Sequence, residues 1–247
     1  MNFSNTLFRC SSLGYLMTDP KSKTDKEAGN LSEGAKTHLI DVYVQNKYGR
    51  QTDIQNKYLI KGNMVEEDSI TLYSRVKKSF FKKNEKHLSN KYIKGTPDLY
   101  TGTSIEKAET IIDIKSSWDV FTYFRNKVKG VSDLYYWQLQ GYMALSGAKS
   151  AILAFCLVDT PDVLIDDAKR RLMWSMNAGT TENPDYIKAC EEIDRAMTFS
   201  DIPMIERVMT FPVERNEDDI DRIYSRILKA REYLQKIESE SCEKITA

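Results

Sequence analysis

Histidine is almost missing from this 247-residue chain: His38 and His87 are the only two. Neither sits in a ligand or catalytic motif, so His38 reads as the surface residue of a helix and imidazole chemistry is not expected to carry an activity. Cysteine is equally thin. Cys10, Cys156, Cys190 and Cys242 are scattered, and no pair has metal-ligand spacing, which leaves free thiols of a reducing compartment. No apolar run approaches the roughly 18 residues of a membrane span, and the N-terminus lacks a signal-peptide pattern, so the cytoplasm is the expected location, with no membrane partner. Charge of one sign is not in excess either: 36 basic and 36 acidic residues cancel. A polyanionic partner would have to be met by local basic patches. Internal repeats and linker-like stretches are absent. One domain is expected over residues 1–247, with 161–247 a mainly helical C-terminal elaboration.

What is present gathers between Gly95 and Tyr142. The stretch Thr110–Ser116 is β-branched enough to be a strand. Side chains alternate faces along a strand, so Asp113 and Lys115 point one way while Ile112 and Ile114 point into a core. Asp98 lies 113 − 98 = 15 residues earlier, in a short strand Asp98–Tyr100 closed by Thr101–Ser104. That is hairpin spacing, and it can bring Asp98 beside Asp113. Two carboxylates that close repel, and one stays protonated unless a cation joins them. Oxygen ligands alone call for Mg²⁺, with Mn²⁺ able to substitute. Lys115 then positions or activates a water, or stabilises charge on a phosphate. The competing reading is a surface ion pair of Asp113 with Lys115 and a turn residue at Asp98. Gln138 and Tyr142, at i and i+4 on a helix capped by Ser132 or Asp133, share one face behind the three.

Asp98, then Asp113-x-Lys115, then Gln138-xxx-Tyr142, in this order, resembles the PD-(D/E)-x-K nuclease superfamily. The Gln-xxx-Tyr element narrows the resemblance to its RecB-like and lambda-exonuclease-like (YqaJ-type viral recombinase) branch, over roughly residues 9 to 158. The resemblance implies an α/β fold: a mixed sheet flanked by helices, the catalytic strands in a central hairpin, with extra C-terminal helices. It implies that Asp98, Asp113, the Ile114 carbonyl and Glu66 hold the metal. Glu66 follows Gly62 at the family's spacing for an acid near the start of a helix; Glu67 and Asp68 are rivals, and acids also serve a first helical turn by complementing its dipole. Arg9 with Ser11 or Ser12 is expected to grip a 5′-phosphate, with Thr96 adding a hydroxyl; the plainer alternative is a solvated arginine and a helix-capping serine. Gln138 and Tyr142 are expected to look onto the active site and help hold substrate. Some RecB-like nucleases carry an iron–sulfur cluster on one early and three closely spaced late cysteines. Here the late spacings are 190 − 156 = 34 and 242 − 190 = 52, so no iron–sulfur cluster is expected.

The implied activity is that of a Mg²⁺-dependent phage-type 5′–3′ exonuclease on double-stranded DNA ends, acting in single-strand-annealing recombination. A single-strand annealing protein is the implied partner, and a ring-shaped homotrimer the assembly by analogy. Alternatives are a RecB-like endonuclease or helicase-associated nuclease, and a catalytically silent DNA- or protein-binding module on the same fold.

Elsewhere the pattern is ordinary. Residues 20–30 read as a mobile loop, and Leu31–Tyr48 as a helix ended near Gly49. Gly62 opens the next helix, followed by a lysine run (Lys77 to Lys86) around a core-facing Phe80-Phe81. Phe121, Tyr123 and Phe124 read either as a wedge at a DNA end or as a lid on the core. Ala151–Val158 is a buried strand, Leu164–Met176 and Tyr186–Met197 are helices, and Arg207–Val213 is an edge strand holding Pro212. Asn216 caps a last helix with Ile220, Ile223, Ile227, Leu234 and Ile237 on one stripe, and the tail after Ser239 is expected to fray.

Overall fold

The computed structural model describes residues 1–51 and 56–243, with side chains through Ser241. In chain order the elements are β1 (Phe8–Arg9), α1 (Leu13–Leu16), α2 (Lys23–Glu27), α3 (Glu33–Tyr48), α4 (Lys57–Met64), α5 (Glu66–Lys77), β2 (Leu88–Ser89), β3 (Ile93–Gly95), β4 (Leu99–Gly102), β5 (Ala108–Ser116), α6 (Val120–Lys129), α7 (Asp133–Ser146), β6 (Ser150–Cys156), α8 (Asp162–Ser175), α9 (Pro184–Met197), β7 (Val208–Glu214) and α10 (Glu217–Glu243).

The main sheet runs β4-β5-β6-β7. β4 pairs antiparallel with β5, β5 parallel with β6, and β6 antiparallel with β7. The parallel step requires a crossover, which α6 and α7 supply. Alternation along β5 assigns its faces. Ile112 and Ile114 pack with Leu99, Ile70 and Tyr73 under α5, whereas Ile111 joins Leu139, Tyr142 and Leu153 under α7. Asp113 and Lys115 share the Ile111 face, as period-2 geometry dictates. The hairpin of β4 and β5 is present but not central: β4 is an edge strand, and of the two only β5 is interior. Pro212 lies on the other edge, in β7, opposite Ile152. There its missing N–H costs no ladder bond.

Several elements differ from the sequence expectation. Residues 20–30 contain α2, started by Ser22 accepting from the Asp25 amide. Gly62 lies inside α4 rather than opening a helix, and a Cβ there would meet nothing within 4 Å, so no close backbone approach explains it. Of the Phe80-Phe81 pair only Phe81 packs inward, against Tyr73, while Phe80 is 92% exposed. The helix before it ends with Lys78 in the left-handed region, φ 52°, which turns the chain so that only one of two adjacent rings can face in. Phe121, Tyr123 and Phe124 fall on α6, with Tyr123 buried and Phe121 exposed. A second sheet, β1-β3-β2, was not foreseen. The stretch 161–247 divides. α8 and α9 form a hairpin tied by Lys169 to Asp194, whereas β7 completes the main sheet and α10 sends Ile223, Ile227 and Leu234 into the same core as α3. α10 stays helical past Ser239 to Glu243, and the expected fraying beyond that lies outside the described residues. Cys10 and Cys156 are buried free thiols and Cys190 is part-exposed; the side chain of Cys242 lies outside the described residues. No helix among the described residues is long and apolar enough to cross a membrane.

Candidate active site

Three segments converge at the C-terminal end of β5. The first is β5 itself, which presents Asp113 and Lys115 side by side. Lys115 Nζ lies 2.7 Å from Asp113 Oδ2; the carboxylate is 1% exposed and the lysine 25%. The contact is an ion pair without hydrogen-bond geometry, so Oδ2 is a buried oxygen lacking a hydrogen-bond partner. The second segment is the link from β3 to β4. It delivers Asp98, whose Oδ2 accepts from the Ile114 amide at 2.7 Å. In a strand the N–H and C=O of one residue face the same neighbour. The β4 ladder stops at Leu99 opposite Ile112, so the Ile114 carbonyl faces the Asp98 side beyond the last strand pair. The third segment is α7. Gln138 Nε2 donates to Asp113 Oδ1 at 3.0 Å and to the Tyr142 hydroxyl at 3.1 Å.

The close approach of α7, the first turn and β3 depends on two glycines. A Cβ at Gly95 would lie 2.7 Å from the Tyr142 ring and 3.2 Å from Cys10 Sγ. One at Gly141 would lie 2.6 Å from Leu13 and 3.0 Å from Cys10 Sγ. Cys10, directly after Arg9, is therefore seated between the acid-bearing link and the glutamine helix.

The electrostatics follow from burial. Burial, then the nearby Asp113 charge, push the Asp98 carboxyl up to about 7, against the pull of Lys115 and the Ile114 amide. Burial disfavours the Lys115 ammonium, yet Asp113 and Asp98 together outweigh it and raise that group to about 12. Lys115 therefore stays charged at neutral pH. Burial lifts the Tyr142 phenol well above its ordinary value.

The remaining expected residues are placed as follows. Glu66, at the start of α5, lines the same pocket as Asp98 and Lys115, but its carboxylate is taken by Lys83 at 2.7 Å. Glu67 also leans on Lys83, at 3.8 Å. Accordingly, no cluster of three His, Cys, Asp or Glu side chains stands ready for a metal among the described residues. Gln138 and Tyr142 do not open onto the pocket. Both are 5% exposed, and both Nε2 protons of Gln138 are spent on Asp113 and Tyr142. They back Asp113, because α7 packs this face on the core, and they do not line the pocket. Arg9 is exposed on β1 beside Lys94 of β3. Ser12 donates to the Arg9 carbonyl at 2.9 Å, whereas the Ser11 hydroxyl has no hydrogen bond among the described residues. Thr96 Oγ1 is 3.0 Å from His87 Nδ1. Lys86 pairs with Glu106 and Lys83 with Glu66, so the lysine run is partly neutralised. His38 is half-buried rather than fully at the helix surface: its Nε2 is buried without a hydrogen-bond partner among the described residues, and its ring lies 5.3 Å from that of Tyr15.

The pocket at this point encloses about 640 Å³ and has a wall that the sequence did not announce. Lys61, 1% exposed, donates to the carbonyls of Ser117 and Trp118 at 3.0 and 2.8 Å. Burial lowers its ammonium to about 8, with Asp119 and Asp159 opposing. A single lysine in a polar helix carries no pattern, so only tertiary contact reveals it.

With the geometry in place, the likenesses are specific. A phage-related exonuclease from Haemophilus somnus 129PT is 30% identical over 96% of this chain and 97% of its own, with a TM-score of 0.75. This chain belongs to the lambda-exonuclease-like family of PD-(D/E)-x-K nucleases. The alkaline exonuclease LHK-Exo from Laribacter hongkongensis shares the fold at 13% identity, with a TM-score of 0.62 over 98% of this chain and 95% of its own. LHK-Exo in complex with dAMP gives the same TM-score at 14% identity, over 99% and 95%. No family model and no curated protein matches the chain. Asp98, Asp113 and Lys115 of this family member stand together in the order the family motif requires.

Proposed function

We propose that this nuclease is a divalent-metal-dependent exonuclease that degrades double-stranded DNA from its 5′ ends. The observation that carries the reading is the buried pair Asp98 and Asp113 at the end of β5, with Lys115 against it. Two carboxylates that hold one of them up to about 7 form a site short of positive charge. Asp113 Oδ2 meets the Lys115 ammonium at 2.7 Å, and that one cation faces two buried carboxylates. The donors available, Asp98, Asp113 and the Ile114 carbonyl, are all oxygen. That set fits Mg²⁺ or Mn²⁺, because Mg²⁺ is commonly held by one or two carboxylates and keeps several waters. Glu66 would join only by leaving Lys83. A cation held there would neutralise the phosphate and favour attack by water.

The chain's own residues have separable tasks. Lys115, charged at neutral pH, donates to developing negative charge at the phosphate and is unsuited to act as a base. Gln138 fixes the Asp113 carboxylate, and Tyr142 fixes Gln138. Arg9 and Ser11 would offer a guanidinium and a hydroxyl to a terminal 5′-phosphate, and Thr96 a further hydroxyl, although none of the three lines the pocket of Asp98 and Lys115. The proposal extends to end resection for single-strand annealing, to an annealing protein as partner and to a ring-shaped homotrimer, all by family analogy. The test is digestion of end-labelled linear duplex with Mg²⁺, comparing phosphorylated and hydroxyl 5′ ends. Mononucleotide release from the 5′ strand supports the reading, and cleavage of closed circles would favour an endonuclease.

A further inference from the structure

The pocket that Asp98 and Lys115 line also holds aromatic side chains. Besides the charged groups, Tyr15 and Tyr58 line the same cavity, and they are 52% and 56% exposed. Single exposed aromatics are ordinary, but two that line one recess form a patch of the kind that marks a binding site. Both are braced. The Tyr15 ring lies on the His38 ring at 5.3 Å, tilted by 32°, and His38 has no other use for its buried Nε2 among the described residues. The Tyr58 ring stands edge-on to Trp118 at 5.1 Å and 80°. Trp118 in turn carries Lys57 at 5.0 Å and Lys61 at 5.6 Å from its ring centre, and Lys61 ties down the Trp118 carbonyl. Neither Tyr15 nor Tyr58 spends its hydroxyl on a protein hydrogen bond among the described residues. These are ring faces braced by neighbouring side chains, in a recess whose charged lining residues are Lys61, Lys115, Glu66 and Asp98.

We propose that Tyr15 and Tyr58 form a nucleobase-binding wall that stacks the base of the nucleotide whose phosphodiester lies at Asp98 and Asp113. An end nucleotide entering a recess must leave its neighbour's stack. Aromatic faces replace that stacking without regard to sequence, since every base has a π-face. The recess, at about 640 Å³, is of a size that ligand pockets commonly have. The proposal rests on the nuclease reading only for which nucleotide is held; base recognition itself can be measured without cleavage.

The experiment compares binding of dGMP with that of deoxyribose 5-phosphate, by calorimetry in the presence of Mg²⁺, to the wild-type chain, Tyr15→Ala, Tyr58→Ala and Tyr15→Phe. The wild type and Tyr15→Phe are expected to prefer dGMP. Each alanine variant is expected to lose about 10–100-fold for dGMP while deoxyribose 5-phosphate binds unchanged, since stacking acts on the base alone. In cleavage assays, Tyr15→Ala is expected to slow an intact duplex and to add no further loss when the terminal nucleotide is abasic, because ring and base are two halves of one interaction. No preference for dGMP in the wild type would overturn the proposal, as would alanine variants that lose both ligands equally. A chain that prefers dGMP yet never cleaves DNA would overturn the nuclease reading and leave the base wall standing. Both tyrosines are more than half exposed, so the variants are expected to fold, which thermal melting checks.

Discussion

Replacing Asp98 by asparagine separates what the site needs from what the fold prefers. The asparagine keeps an oxygen that can accept from the Ile114 amide, so the bond now 2.7 Å long survives. What disappears is a buried negative charge beside Asp113. A carboxyl raised from 3.8 to about 7 in the folded state favours folding below its unfolded value, and that contribution is lost as pH rises through 7. At about 1.4 kcal/mol per tenfold change in acidity, the cost of ionising it in the metal-free fold has a ceiling of about 4 kcal/mol at pH 8. Asp98→Asn is therefore expected to melt higher than the wild type at pH 8 in EDTA. For a chain of this size that ceiling corresponds to a rise of at most about 8–16 °C. At pH 3.5, where the wild-type carboxyl is protonated in the fold, the two are expected to melt within about a degree. Adding Mg²⁺ at pH 8 is expected to stabilise the wild type but not the variant, by mass action on the folded state. The assay is thermal unfolding followed by circular dichroism over pH 3.5–8. A variant that melts below the wild type at pH 8 in EDTA, or gains equally at both pH values, would refute the reasoning.

Further expected outcomes concern neighbouring residues. Lys115→Gln is expected to lower single-turnover cleavage on the order of 10²–10³-fold at saturating Mn²⁺, the loss typical of one electrostatic donor at a reacting centre. A rate within a few fold of wild type would reduce Lys115 to an ion-pair partner. Arg9→Ala is expected to slow digestion of 5′-phosphorylated duplex and leave 5′-hydroxyl duplex nearly unchanged; equal losses on both would assign Arg9 to general DNA binding. Gly95→Ala drives a Cβ to 2.7 Å from the Tyr142 ring and 3.2 Å from Cys10 Sγ. Overpacking of this kind costs about 1–3 kcal/mol, so chemical denaturation should register that loss, and cleavage should fall with it as Gln138 shifts from Asp113.

The parts of this molecule legible in the sequence are those where a period does the work. The alternation of Ile112, Asp113, Ile114 and Lys115 assigned both faces of β5, and i, i+4 spacing put Gln138 and Tyr142 on one side of α7. The stripe from Ile220 to Ile237 read out α10, which packs on its own core. Strands of two or three residues, such as β1, β2 and β3, are too short to show a period, so the small sheet that seats Arg9 beside Lys94 was not visible. The direction in which a face looks was not visible either: Gln138 and Tyr142 share a side as expected, yet that side backs Asp113 and does not meet the pocket. Long-range pairings leave no local trace. Glu66 has the spacing of a site acid, but Lys83, 17 residues away, takes its carboxylate. The base wall joins Tyr15 from the first turn with Tyr58 and Trp118 from distant segments, and only the folded chain brings them together.

The central claim is that Asp98, Asp113 and Lys115 cut DNA with a divalent cation. Its most direct test is release of labelled nucleotide from linear duplex by the wild type and Asp113→Asn, each with Mg²⁺ and with EDTA, alongside a gel-shift measurement of duplex binding. The expected result is cleavage by the wild type with Mg²⁺ alone, and none by Asp113→Asn although it still binds duplex as tightly or more tightly. Cleavage by Asp113→Asn at the wild-type rate, or none by the wild type with either Mg²⁺ or Mn²⁺, would contradict it.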